Sequence, residues 1–251
     1  MEWEKMKNKS KLIRNVIIFI LLIILTFYII LKDQNINSVF QILGTVKLQY
    51  ILIGITCMCI YVLGEAINIG RTLKALNEKS SFFNNIKYAL IGFFFSGITP
   101  AASGGQPMQI YYMYKDKISV ANSTLALLIN LSSMQVVTIS LALISVAVNH
   151  SIMNTALIWF FVIGILLNAS ALTLLIIAIF HKKLLQKLIN FVVKVMKKLK
   201  IRNVDKKQEK IENELNKYQT SSDYIKEHKL VMLKTVMTTY IQFLAFYSVS
   251  Y

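Results

Sequence analysis

The chain has 251 residues, of which 55% are hydrophobic and only 16% charged, with a mean hydropathy of +0.55. A soluble domain of this length carries about 25% charged residues, and a 64-residue stretch, 118–181, holds no Lys, Arg, Asp or Glu at all. Composition therefore excludes a disulfide scaffold, a disordered chain and an ordinary soluble domain, and it indicates a multi-span membrane protein.

The formal charge of +16 is unevenly placed. Fourteen of the 28 basic residues fall within 182–229 and five within the first 14 positions. Basic clusters beside apolar spans mark cytoplasmic loops and favour anionic headgroups. No nucleic-acid motif accompanies the charge, so nucleic acid is not the expected partner.

A basic start leads into residues 15–31, an uncharged and mostly apolar run. It is too long for a signal-peptide core and lacks a small-residue cleavage site, so it reads as an uncleaved first span with its N-terminus inside. The second span is expected at 50–70. It contains Cys57 and Cys59, whose C-x-C spacing is neither a redox nor a zinc pattern, and one acid, Glu65. Asn68 and Arg71 follow at helical spacing and share its face. A basic loop comes next, with Arg71, Lys74, Lys79 and Lys87.

Residues 88–114 are uncharged and would span about 40 Å as one helix. A single crossing here would place the fourteen basic residues of 182–229 outside, against the positive-inside rule. If the segment enters and leaves on the cytoplasmic side, every loop fits: 71–87, 115–117 and 182–229 are inside, and 149–154, which has no Lys or Arg, is outside. The only prolines of the chain, Pro100 and Pro107, lie in this segment beside Gly97, Gly104 and Gly105. Proline removes a backbone donor and glycine permits a tight turn, so a re-entrant pair of half-helices meeting near 99–106 is expected. The competing reading is a proline kink in one spanning helix.

Spans at 118–148 and 155–180 follow. In 182–200, Leu184, Leu185, Leu188, Val192, Val195, Met196 and Leu199 alternate with lysines at helical spacing, the pattern of a helix lying on an anionic leaflet or packed on the protein. Residues 203–229 mix both charges and read as a solvated helix plus linker. A last span occupies 230–251, and the polytopic domain is expected to be truncated at its C-terminus. The expected fold class is thus all-α and polytopic. It has about five full spans, one re-entrant helical hairpin and an inside N-terminus, with 1–181 a membrane domain and 182–229 a cytoplasmic basic amphipathic segment.

No soluble catalytic motif is present, the three histidines are scattered, and neither metal nor cofactor is expected. The candidates are polar groups at membrane depth, which are costly and often functional. Glu65, Asn68 and Arg71 form one group; they would serve equally as a structural pin between helices. The second group is the turn Ser103-Gly104-Gly105-Gln106 with Gln109, where a half-helix N-terminus suits an anionic headgroup. Pro100 and Pro107 mark the structural break. Asn130 and Gln135 share the following span and could line the same cavity, or simply join helices.

The run Thr99-Pro-Ala-Ala-Ser-Gly-Gly-Gln-Pro107, followed by Tyr111-Tyr-Met-Tyr114 and Lys-Asp-Lys, resembles the lysylphosphatidylglycerol synthase transmembrane (flippase-like) family. The stretch Gly-Glu-Ala-Ile-Asn-Ile-Gly-Arg at 64–71 is similar to that family's second span. The resemblance implies a bacterial cytoplasmic-membrane domain that moves aminoacylated phosphatidylglycerol between leaflets and protects against cationic antimicrobial peptides. It implies an anionic phospholipid partner, and a lysyl transferase domain that is separate or missing. By the family's name the activity would be phosphatidylglycerol lysyltransferase, for which 182–229 is too short. Another lipid cargo, or a membrane scaffold, is the remaining alternative.

Overall fold

A computed structural model describes residues 45–148, 155–181, 186–187 and 204–249. Among these residues the structure is all-α, with seven helices joined by turns. They are α1 (Leu48–Ala75), α2 (Phe82–Ile98), α3 (Gly105–Lys115), α4 (Val120–Val148), α5 (Thr155–Phe180), α6 (Val204–Glu227) and α7 (Lys229–Ser248). The chain divides into two units, 1–53 and 54–251; of the first, only 45–53 are described. The span expected at 15–31 lies outside the described residues, as does the amphipathic segment 182–200 apart from residues 186–187.

Four helices, α1, α4, α5 and α7, are long and apolar enough to cross a membrane. At 1.5 Å per residue the 20 residues of α7 reach about 30 Å, one hydrocarbon thickness, and the other three are longer. Only 6% of the apolar window of α5 is buried within the protein, and Phe160, Leu166, Leu167 and Leu174 are exposed along it. Water would not tolerate such a surface, and lipid does. The chain is a multi-pass membrane protein.

The expected break in 88–114 is present. Helix α2 ends at Ile98, a 3-10 turn covers Pro100–Ala102, and α3 starts at Gly105. Helix α2 starts six residues before the expected boundary: Ser81 accepts a hydrogen bond from the Asn84 N–H (3.2 Å) and caps it. Charge marks the edge of an apolar run, not the end of a helix, so Lys87 lies inside α2. Its Nζ is 2.5 Å from Asp116 Oδ2, just past α3, and the Tyr88 hydroxyl donates to the same oxygen at 2.6 Å. The start of α2 and the end of α3 therefore meet, and the pair is an antiparallel hairpin. The helices touch closely because Gly92 and Gly105 lie at their crossing: a Cβ on Gly105 would collide with Ser96 and with the Gly92 carbonyl, and one on Gly92 with the Gln109 carboxamide.

Two turns use the left-handed region to end helices. Asn77 (φ 58°) follows α1 and Lys117 (φ 67°) follows α3. Each carries the paired bonds of a Schellman motif: Glu78 N–H to Leu73 and Asn77 N–H to Lys74 in one, Ile118 N–H to Met113 and Lys117 N–H to Tyr114 in the other.

Buried apolar residues gather at the end of the bundle where these turns lie. One cluster joins Ile69, Leu73, Tyr88, Met113, Ile118, Ala126 and Leu127. A second joins Leu76, Leu125, Ile129, Ile179, Tyr218 and Ile225. Helix α6 belongs to this second cluster, which differs from the solvated helix and linker expected at 203–229. The helix runs unbroken to Glu227 and buries Leu215, Tyr218, Ser222 and Ile225, spaced at three and four residues. Its polar residues cap the ends of the spans. Glu214 accepts from the Ala121 N–H at the start of α4 (2.8 Å), and Tyr218 donates to the Ala178 carbonyl at the end of α5 (3.0 Å). An acid at a helix N-terminus and donors at a C-terminus match the helix dipoles.

Candidate functional site

Four neighbouring elements carry polar residues at depth: α1, α4, α7 and the hairpin. On α1, Glu65 and Asn68 face inward and are 5% and 0% exposed. Glu65 Oε1 accepts a hydrogen bond from Asn130 Nδ2 on α4 at 2.7 Å. Its Oε2 is buried and has no hydrogen-bond partner among the described residues. A buried, half-satisfied carboxylate is expensive, and such atoms call for a ligand, a proton or an ordered water.

Glu65 lines a cavity of about 250 Å³ walled by Tyr61 of α1, Gly92, Phe93 and Ser96 of α2, Gln106 and Gln109 of α3, and Asn130 and Met134 of α4. The space has room for several waters or one small polar group. Gln109 is fixed by donating from Nε2 to the Tyr88 carbonyl (3.1 Å). Tyr61 is packed among aromatic rings, with centroids 5.3 Å from Phe93 and 5.1 Å from Phe246.

The structure sorts the sequence candidates into three places. Glu65, Gln106 and Gln109, together with Asn130, line the cavity. Asn68 and Arg71 tie α1 to α4 and α7. Asn68 Nδ2 donates to Asn130 Oδ1 (3.3 Å), Thr239 Oγ1 (3.0 Å) and Gln242 Oε1 (3.1 Å), while Arg71 donates to Asn68 Oδ1 (3.0 Å) and Thr238 Oγ1 (2.9 Å). Pro100, Ser103 and Gly104 form the tip of the hairpin. There the Ser103 hydroxyl donates to the Pro100 carbonyl (2.9 Å), and the Gly104 N–H donates to Thr99 Oγ1 (2.9 Å). Gly105 is buried against α2. The two prolines play different parts: Pro100 opens the 3-10 turn at the break, and Pro107 sits in the first turn of α3, where a missing N–H costs nothing.

Three contributors carried little or no signal in the sequence. Thr99 stitches the break, donating to the Phe95 carbonyl (2.6 Å) while accepting from Gly104. Gln242 on α7 is fully buried and donates to the Tyr61 carbonyl (2.9 Å); as a polar residue within a span it was findable by the rule that picks out Asn130. Glu78, between α1 and α2, accepts from Asn122 Nδ2 (2.7 Å), the Ser119 hydroxyl (3.0 Å) and Lys217 Nζ (3.2 Å). Partial burial works to raise the Glu78 carboxyl, but the bonds from Asn122, Ser119 and Lys217 outweigh it and hold it below the usual carboxylate range. Asp116 is likewise held low, by Lys87 first and Tyr88 second.

Long apolar helices around a broken-helix hairpin and a small cavity lined by a few polar side chains define a polytopic membrane protein. The chain belongs to the lysylphosphatidylglycerol synthase transmembrane family, matching the description "Lysylphosphatidylglycerol synthase TM region" over residues 13–251. It is thus a membrane protein linked to lysylphosphatidylglycerol synthesis. No curated protein and no solved structure matches it.

Proposed function

We propose that this chain is a lipid-translocating membrane domain that carries aminoacylated phosphatidylglycerol between leaflets of a bacterial cytoplasmic membrane. Lowering the negative surface charge in this way would contribute to resistance against cationic antimicrobial peptides. The observation that carries the reading is the unpartnered Oε2 of Glu65 in a cavity at the α2–α3 hairpin. A lysyl lipid brings an ammonium to pair with this carboxylate, and Gln106 and Gln109 offer amide groups to the ester and glycerol oxygens. Ser103 and Gly104 at the hairpin tip, where Gly105 packs the turn against α2, are the proposed contact for the phosphate, with Asn68 and Arg71 supporting the cavity wall from α1.

The proposed topology has an inside N-terminus and five crossings, at 15–31, α1, α4, α5 and α7, with α2–α3 a re-entrant hairpin between cytoplasmic loops. The contact between Lys87 and Asp116 supports it. The decisive experiment measures lysyl lipid in the outer leaflet, by labelling with an impermeant amine reagent, in cells carrying the complete protein. Glu65→Gln should remove most of the outer-leaflet signal while total lysyl lipid stays constant. An unchanged outer-leaflet signal would overturn the reading.

The family's description favours a second reading, in which the chain is the membrane part of a phosphatidylglycerol lysyltransferase and a separate transferase docks on its basic segment. Lysyl-lipid synthesis by the purified chain with charged tRNA separates the two.

A further inference from the structure

We propose that the Glu65 cavity is an exchange site, holding a proton on the Glu65 carboxyl when empty and releasing it when an ammonium group enters. The ammonium's identity as part of a lipid headgroup rests on the carrier reading above; the exchange itself rests on the geometry of the cavity.

The carboxyl is 5% exposed, and one of its two oxygens accepts no hydrogen bond among the described residues, with the Gln242 carboxamide as its near neighbour on α7. The groups that face it come from every element around the cavity. Helix α1 supplies Tyr61, α2 supplies Phe93 and Ser96, α3 supplies Gln106 and Gln109, α4 supplies Asn130 and Met134, and α7 supplies Gln242, which is bonded to the Tyr61 carbonyl. Among the described residues Tyr61 is the one other titratable group in this wall, and no described Lys, Arg or His lines it. Arg71 reaches Glu65 only through the side chains of Asn68 and Asn130, and Lys234 of α7 lies eight residues before Gln242.

A bare carboxylate in such a place lacks a compensating positive charge, and a buried group of that kind takes a proton instead. An arriving ammonium supplies both the charge and the missing donor at Oε2. The O–H bond of the acid then breaks, its proton passes to bulk water, and an N–H···O⁻ ion pair forms. The site is electrically neutral in both states, so neither leaves an unpaired charge at membrane depth.

The test uses the full purified chain in detergent, with cadaverine as the ammonium probe and 1,5-pentanediol as its uncharged counterpart. Calorimetric titration in two buffers of different ionisation enthalpy counts the protons released. Binding of cadaverine but not the diol, with release of about one proton and an affinity that rises about tenfold per pH unit, is the expected result. Glu65→Gln should abolish both. Infrared difference spectra of the unsubstituted protein give an independent reading, because the carbonyl band of a neutral carboxylic acid should vanish on adding cadaverine. Binding without proton release would overturn the exchange and leave the carrier reading intact. Absence of cadaverine binding would overturn the ammonium site itself, and the outer-leaflet assay would show separately whether lipid transport survives.

Discussion

Lys87 and Asp116 are 29 positions apart, yet Lys87 Nζ lies 2.5 Å from Asp116 Oδ2. Everything between them goes out and comes back. From this contact α2 runs 11 residues on to Ile98 and α3 is 11 residues long, so each arm reaches about 16 Å, short of a full crossing. Single cysteines placed at Lys79, Lys117, Asn149 and Lys206, with Cys57 and Cys59 replaced, should label from outside only at 149. Labelling at 117 would mean that 88–114 crosses the membrane.

The tip of the hairpin is strained. Ala101 and Ala102 have φ of 52° and 55°, a region that costs a residue with a Cβ roughly 1–2 kcal/mol. Ala101→Gly and Ala102→Gly should each stabilise the hairpin by about 1 kcal/mol, read as a higher thermal midpoint in detergent. Gly105→Leu should do the reverse. Its side chain has nowhere to go against Ser96 and the Gly92 carbonyl, so the hairpin must open and the midpoint must fall.

Asn68→Ala leaves the Asn130, Thr239, Gln242 and Arg71 side chains each short of a partner. A loss of about 1–3 kcal/mol is expected. By contrast, Arg71→Gln should cost less, because Arg71 is only half-buried and its partners are two neutral oxygens. Denaturation of both variants by sodium dodecyl sulfate in mixed micelles ranks them.

Docking of α6 should weaken in acid. The Glu78 carboxyl is held low by Asn122, Ser119 and Lys217 against the opposing effect of burial. A depressed folded-state value means that its contribution is present above the ordinary carboxylate range, near 4, and is lost as pH falls through the depressed value. Hydrogen exchange of residues 204–227 should therefore speed up toward low pH. Glu78→Gln should show faster exchange already at neutral pH and a flatter pH profile. An unchanged profile would mean that the apolar contacts of α6 and its bonds from Glu214 and Tyr218 hold the helix without Glu78.

Much of this fold could be read from charge and hydropathy. Helices α4 and α5 end within two residues of the apolar spans read at 118–148 and 155–180, because a long apolar run has one stable form in a bilayer. The break at Pro100 was legible because proline and glycine change the backbone itself. The docked face of α6 was not, since its buried positions include Tyr218 and Ser222 within a densely charged sequence. Glu65 stood out as the acid within its span, but its cavity did not. The wall depends on which faces of α2, α3 and α4 meet, and no local signal fixes that.

The bonds around Glu65 also have a direction. Arg71 donates to Asn68, Asn68 to Asn130, and Asn130 to Glu65, over distances of 3.0, 3.3 and 2.7 Å. Each carboxamide is oriented by the one before it, so the series is a polarised wire with a cation at one terminus and an acid at the other. A change of charge at Glu65 would consequently be felt less than two helical turns along α1, at the guanidinium and its contact with α7.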